Sequence, residues 1–292
     1  MPHAQSAVLP VSAPAPPAIS GTYYRHSLPV RIAHWVNALC LAVLFMSGLG
    51  IFNAHPSLHW GNSSYTGHPA FIEITAVEQP HAGPAGIVRI AGHQIDTTGI
   101  FGLSARPDGR PEARAFPGWL TVPSYYSLAE SRTWHFFFAW LFVINGLFYL
   151  NYTLLSRHFA RDLAPNAREM RGIGASIKEH LLLRHPQGEA AKRYNVLQKL
   201  SYLIVIFVLL PLVALMGMGM SPMLDTVHAG WVDWFGGRQS ARTIHFIAAW
   251  LLLAFVAVHV FEVLISGLWN HLRSMITGYY RIGSARHQEQ DT

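Results

Sequence analysis

The chain has 292 residues, of which 51% are hydrophobic and 12% charged, with a mean hydropathy of +0.25. An average soluble domain carries about twice that charged share, so neither a soluble enzyme nor a disordered chain fits. A net charge of +6 without a dense basic tract argues against nucleic acid as a partner. The single cysteine, Cys40, excludes a disulfide framework, a Cys-rich zinc site, an all-cysteine iron–sulfur cluster and a C-x-x-C-H haem attachment.

In chain order, residues 1–24 read as a disordered tail. Residues 1–20 are rich in Pro, Ala and Ser and lack Lys and Arg, so no basic region precedes an apolar one as in a signal peptide. Crossing a bilayer takes roughly 20 apolar residues. Four stretches qualify: 32–52, 134–155, 200–220 and 244–268, the third containing Pro211, a site for a kink. The expected fold is an all-α membrane protein, a four-helix bundle over 25–280. Residues 53–130 form a long insert in which Gly86–Ile95 alternates as a short β-hairpin around Ala91-Gly92. Residues 156–195 form a polar loop, and the connection 221–240 carries Trp231 and Trp234, suited to a membrane interface. Residues 281–292 form a C-terminal tail.

Loop 156–195 holds eight Lys/Arg, whereas the much longer insert 53–130 holds four. The positive-inside bias therefore places that loop and both termini in the cytoplasm, and the insert on the opposite side.

Of the 17 histidines, four lie within or at the edge of the spans: His34, His135, His245 and His259. Ionisable residues in spans are costly and usually functional. His245 and His259 are 14 residues apart; at about 100° per residue both rings face one side, with a rise of roughly 21 Å between them. His34 and His135 supply partners at matching depths, so the expected pairs are His34 with His259 and His135 with His245. Two imidazoles on one iron, with no open position, are what an electron-transferring haem b requires. Unrelated interhelical hydrogen bonding is the plainer reading.

An arginine stands three residues before three of these histidines: Arg31, Arg132 and Arg242. Each is placed to meet a haem propionate, or to anchor a helix at the interface by snorkelling. Gly48 and Gly146 either give a haem room or serve helix contacts. Cys40 reads as an ordinary buried residue. Glu262, one turn past His259, is a candidate for passing protons, or for pairing with a nearby Arg. Tyr194, Asn195, Gln198 and Lys199 are donors at the cytoplasmic boundary, suited to a ligand head group or to an ordinary polar helix entry.

Arg31-Ile-Ala-His34-Trp35, His135, Tyr194-Asn195-Val-Leu-Gln198-Lys199 and His245-x13-His259 resemble the bacterial cytochrome b561 / nickel–iron hydrogenase b-type cytochrome family. The resemblance covers about 25–280. The insert, ending in Phe116-Pro117-Gly118-Trp119-Leu120, looks closest to the thiosulfate reductase cytochrome b branch, whose partner is a molybdopterin oxidoreductase. The resemblance implies four transmembrane helices in a bacterial inner membrane, two haem b groups with the four histidines as axial ligands, and electron transfer with quinone as substrate. Formate-dehydrogenase-type relatives use a Tyr-Asn-x-Gly-Gln-Lys segment in the quinone site; the resemblance makes Tyr194, Asn195, Gln198 and Lys199 quinone-site candidates and Glu262 a candidate for passing protons to a reduced quinone, although Leu197 stands here at the glycine position.

The expected function is thus a membrane-bound di-haem cytochrome b carrying electrons between quinone and a periplasmic molybdopterin or iron–sulfur oxidoreductase subunit that docks on the insert. The alternatives are a stand-alone cytochrome oxidising a small molecule such as superoxide, a non-redox transporter using the same histidines, and a pure membrane anchor.

Overall fold

A computed structural model describes residues 21–63, 69–81, 83–156, 159, 164–174, 176–177, 196–228 and 230–282. Four helices are long and apolar enough to cross a membrane: Leu28–Phe52, Leu128–Leu155, Val196–Gly219 and Arg238–Ile265. They are called the first to fourth spans below. Each begins a few residues before the apolar stretch read from the sequence. Pro29 sits in the first turn of the first span, where it costs no helical hydrogen bond. Ser127 Oγ accepts from the Glu130 amide at 3.3 Å and opens the second span with a Ser-x-x-Glu box. The third span is interrupted by a π turn, Val205–Leu209, just before Pro211. Proline has no N–H for the carbonyl four residues back, and the wider turn accommodates that lost bond.

The fourth span starts after Gly236 and Gly237, both at positive φ. Its first amides find acceptors in the insert: Gln239 and Ser240 donate to the Gly61 carbonyl at 2.9 and 3.2 Å, and Arg238 to Asn62 Oδ1 at 3.2 Å. These are donors that a helix start otherwise leaves unpaired.

The insert is a β module, which corrects the all-α expectation: the protein is mostly helical with β structure in this connection. A four-stranded antiparallel sheet runs β2 (Ser57–Leu58), β3 (Ile72–Gln79), β4 (Gly83–Ile90) and β5 (His93–Asp96) in spatial order. Ala91 and Gly92, both at positive φ, turn β4 into β5, as a two-residue hairpin needs. A second hairpin pairs β6 (Gly102–Ala105) with β7 (Pro111–Arg114). Leu58, Ile74 and Phe116 of this module bury against Leu49 and Phe52 of the first span, with Phe246 of the fourth packed alongside. Asn53 fastens the joint from both sides, accepting from the Phe116 amide at 2.7 Å and donating to its carbonyl at 3.1 Å.

At the opposite end β1 (Gly21–Tyr24) pairs with β8 (Tyr279–Ile282). Residues 21–24 are therefore not part of a disordered tail, nor are 281–282 part of a C-terminal one. Tyr23 packs on Tyr280 and Tyr24 on Tyr279, while Arg25 lies 4.8 Å above the Tyr280 ring. Four residues are too short a run to be recognised without their partner. A short helix, Leu268–Thr277, precedes β8 and is tied to the first span: Arg31 donates to the Ile276 carbonyl at 2.7 Å and Trp35 to that of Met275 at 3.1 Å. Residues 1–20 and 283–292, and most of loop 156–195, lie outside the described residues.

Candidate functional site

The bundle brings the four intramembrane histidines together in two pairs. His135 of the second span and His245 of the fourth have ring centroids 6.1 Å apart, at the end that bears the insert. His34 of the first span and His259 of the fourth are 6.3 Å apart, toward the end that bears β1 and β8, called the terminal end below.

The insert-end pair has a defined proton arrangement. His135 Nδ1 lies 3.1 Å from the Leu44 carbonyl and 3.1 Å from Ser47 Oγ. The Ser47 hydroxyl hydrogen points to the Val43 carbonyl at 2.6 Å, so toward His135 its oxygen is an acceptor. Two acceptors on one ring nitrogen require that Nδ1 carry the proton. His245 Nδ1 meets the Val213 carbonyl at 2.8 Å and carries its proton for the same reason. Both rings are left with their lone pair on Nε2, the form that binds a metal.

One backbone device serves both rings. Leu44 and Gly48 are four residues apart on the first span, as are Val213 and Gly217 on the third. A helical Cβ leans toward the N-terminus over the preceding turn, so a glycine four residues on uncovers the carbonyl for a neighbouring helix. A Cβ at Gly48 would lie 3.4 Å from His135 Cε1, and one at Gly217 would lie 3.3 Å from His245 Cε1. Gly48 thus makes room for a histidine ring. Gly146 has nothing within 4 Å of its Cβ position and shares no such role. Gly217 escaped sequence reasoning; its signal is the repeated spacing from a carbonyl to a glycine.

The terminal-end pair is held differently. His34 Nδ1 is buried without a hydrogen-bond partner among the described residues. His34 packs edge-on against Trp35, and His259 stacks on Phe255.

These donor sets fit haem iron. Metal–imidazole bonds are about 2.0 Å, and a ring nitrogen lies roughly 1.2 Å from its ring centre, so two imidazoles sharing one iron hold their centroids about 6.3 Å apart. Among the described residues no cluster of three or more His, Cys, Asp or Glu side chains is placed to hold a metal. Each pair offers two nitrogens and no more, which suits an iron whose other positions are filled by a macrocycle.

The remaining candidates are dispersed. Arg31 spends one donor on the Ile276 carbonyl, while its Nε is buried without a partner. Arg132 lies 5.5 Å from the Phe136 ring centre. Arg242 binds the carbonyls of Ser57, at 3.0 Å, and His55, so it ties the insert to the fourth span. Lys199 is buried and grips both carboxylate oxygens of Glu169 at 3.0 and 3.1 Å. Gln198 is half-buried on the same helix as Lys199. Tyr194 and Asn195 lie outside the described residues. Glu262 is half-buried, one turn past His259. Tyr202 lies within electrostatic reach of Glu262, Arg25 and Tyr149, a polar group near the terminal end that sequence reasoning did not single out.

In the insert, His55 titrates below the ordinary histidine range, chiefly because burial penalises its charged form, and further through Arg242 and His59.

Comparison with known proteins identifies relatives. Residues 25–278 match the family model described as prokaryotic cytochrome b561. A relative from Azospira oryzae, named "Putative protein-methionine-sulfoxide reductase subunit YedZ1", is 25% identical over 242 residues, covering 82% of this chain and 89% of the relative. No solved structure matches the chain.

Proposed function

The chain belongs to the prokaryotic cytochrome b561 family, and from that premise we propose that it is a di-haem electron-transfer subunit linking quinone to a redox enzyme. Membership makes it an integral membrane protein and implies b-type haem. The observation that carries the reading is the pair of imidazole–imidazole contacts, 6.1 and 6.3 Å between centroids, at two depths of one bundle.

In this reading His135 and His245 hold one iron and His34 and His259 the other. Bound haem supplies one-electron exchange between ferric and ferrous iron. The chain does the rest. The Leu44 and Val213 carbonyls fix two of the rings so that Nε2 presents its lone pair. The apolar spans exclude water, and the separation of the two sites along the fourth span, roughly 21 Å, carries charge most of the way across the membrane. Arg31 and Arg132 are the propionate partners best placed to serve, since Arg242 already binds two carbonyls of the insert. Quinone exchange belongs at the terminal end, near Gln198, the Lys199–Glu169 pair and Tyr202, with Tyr194 and Asn195 as further contacts and Glu262 as the proton carrier.

The insert faces the periplasm and docks the partner. The name of the Azospira oryzae relative points to a catalytic subunit that reduces oxidised methionine in proteins. A molybdopterin or iron–sulfur enzyme suits that surface, because electrons leaving a buried haem need an acceptor with its own cofactor. The protein purified from membranes should show a b-type reduced-minus-oxidised spectrum, contain two haems per chain and be reduced by a quinol analogue. A colourless, folded protein would overturn this reading.

A further inference from the structure

The two carbonyl–glycine devices share their spacing but differ in the residue just before the glycine. On the first span the residue between Leu44 and Gly48 that lies one turn on from Leu44 is Ser47; at the matching position between Val213 and Gly217 on the third span stands Met216. Both are fully buried, Ser47 and Met216 each at 0% exposure. Ser47 Oγ accepts from His135 Nδ1 at 3.1 Å, whereas among the described residues the His245 Nδ1 proton meets the Val213 carbonyl alone.

We propose that Ser47 is a positioning residue that sets the electron affinity of the insert-end site through His135. The inference rests on the haem reading above and adds a specific residue to it. An acceptor on the far N–H of a ligating imidazole draws that proton outward and makes the opposite nitrogen a stronger donor to the metal. A stronger donor stabilises the more positive iron, so each such acceptor lowers the reduction potential. His135 has two acceptors, the Leu44 carbonyl and Ser47. The first belongs to the backbone and cannot be removed by substitution, but the second can. The terminal-end pair lacks this support, since His34 Nδ1 is buried without a partner among the described residues. Ser47 is therefore a lever acting on one of the two sites.

The geometry excludes the reverse polarity. If Ser47 donated to His135, its bond to the Val43 carbonyl at 2.6 Å would be lost, and Nδ1 would face the Leu44 carbonyl as acceptor against acceptor. Both penalties disappear when Nδ1 carries the proton.

The test is a potentiometric titration of the purified, haem-loaded protein, with the two haems resolved optically and by low-temperature electron paramagnetic resonance. Ser47→Ala should raise the potential of the insert-end haem and leave that of the terminal-end haem unchanged. Ser47→Thr, which keeps the hydroxyl, should return the potential toward the wild-type value. Should Ser47→Ala lose the insert-end haem altogether, retention of that haem in Ser47→Thr still supports an acceptor role, and its loss in both variants overturns it. An unchanged potential in Ser47→Ala, or equal shifts of both haems, also overturns it. Wild-type protein without haem would instead sink the haem reading itself, so the two failures are distinguishable.

Discussion

Replacing Gly217 by valine should expel one haem and spare the other. The third span meets His245 at the Val213 carbonyl and, one turn on, at Gly217. A Cβ there would lie 3.3 Å from His245 Cε1 and 3.5 Å from Nδ1, at or inside the 3.5–4.0 Å optimum of carbon contacts. Alanine requires the ring to yield by a few tenths of an ångström. Valine adds two methyl groups about 1.5 Å farther out on a side chain with little rotamer freedom in a helix. The ring must then leave the Val213 carbonyl, now 2.8 Å away. Overpacking costs about 1–3 kcal/mol and the lost hydrogen bond about 1 kcal/mol. Together, about 2–4 kcal/mol corresponds to a roughly 30- to 1,000-fold loss in the population of the ligating ring position. Haem per chain should fall from two toward one, with the terminal-end spectrum intact. Two unperturbed haems in Gly217→Val, or equal loss of both, would refute this outcome.

Two further outcomes follow from the insert. Asn53→Leu removes both buried bonds to Phe116; leaving that amide and carbonyl unpaired costs about 2–5 kcal/mol. Limited proteolysis should then cut residues 53–130 faster while haem content stays constant, and an unchanged cleavage rate would show that the apolar joint alone holds the insert. His55 titrates below the usual range because burial, Arg242 and His59 oppose its charge. Its unfolded form therefore binds a proton first, so its stabilising contribution is full above the ordinary histidine pKa of about 6.5 and is lost as pH falls below it. The thermal midpoint should decline on that side, and His55→Gln should flatten the decline; an identical slope in the variant would assign the pH dependence elsewhere.

The spans were legible because lipid solvates only apolar side chains, and a run of about 20 such residues has few other uses. The facing of His245 and His259 follows from helical periodicity alone. The hairpin at Ala91-Gly92 is legible from the alternation of Gly86–Ile95 and from Gly92, which takes positive φ freely, whereas Ala91 at φ 48° carries no such sign. What the sequence hid depends on partners distant in the chain. Gly217 looks like any small residue in a Met-rich helix until His245, on the next span, is brought against it. Asn53 and Phe116 are 63 residues apart, and neither carries a local sign of the other. Gly21–Tyr24 becomes a strand only because Tyr279–Ile282 lies beside it. Arg242 is spaced as a propionate ligand would be, yet it meets carbonyls of the insert, since a guanidinium binds any well-placed oxygen.

Whether the histidines pair across the bundle as haem ligands is read from the haem content and difference spectrum of the double variant His34→Ala/His259→Ala. Two histidines sharing one iron act as a unit, so their losses should not add. The double variant should be a folded protein with one haem per chain, spectrally equal to the insert-end haem of the wild type, and either single variant should give the same result or a weakened form of it. A folded double variant in which both haems are perturbed, or both retained, would overturn the pairing of His34 with His259.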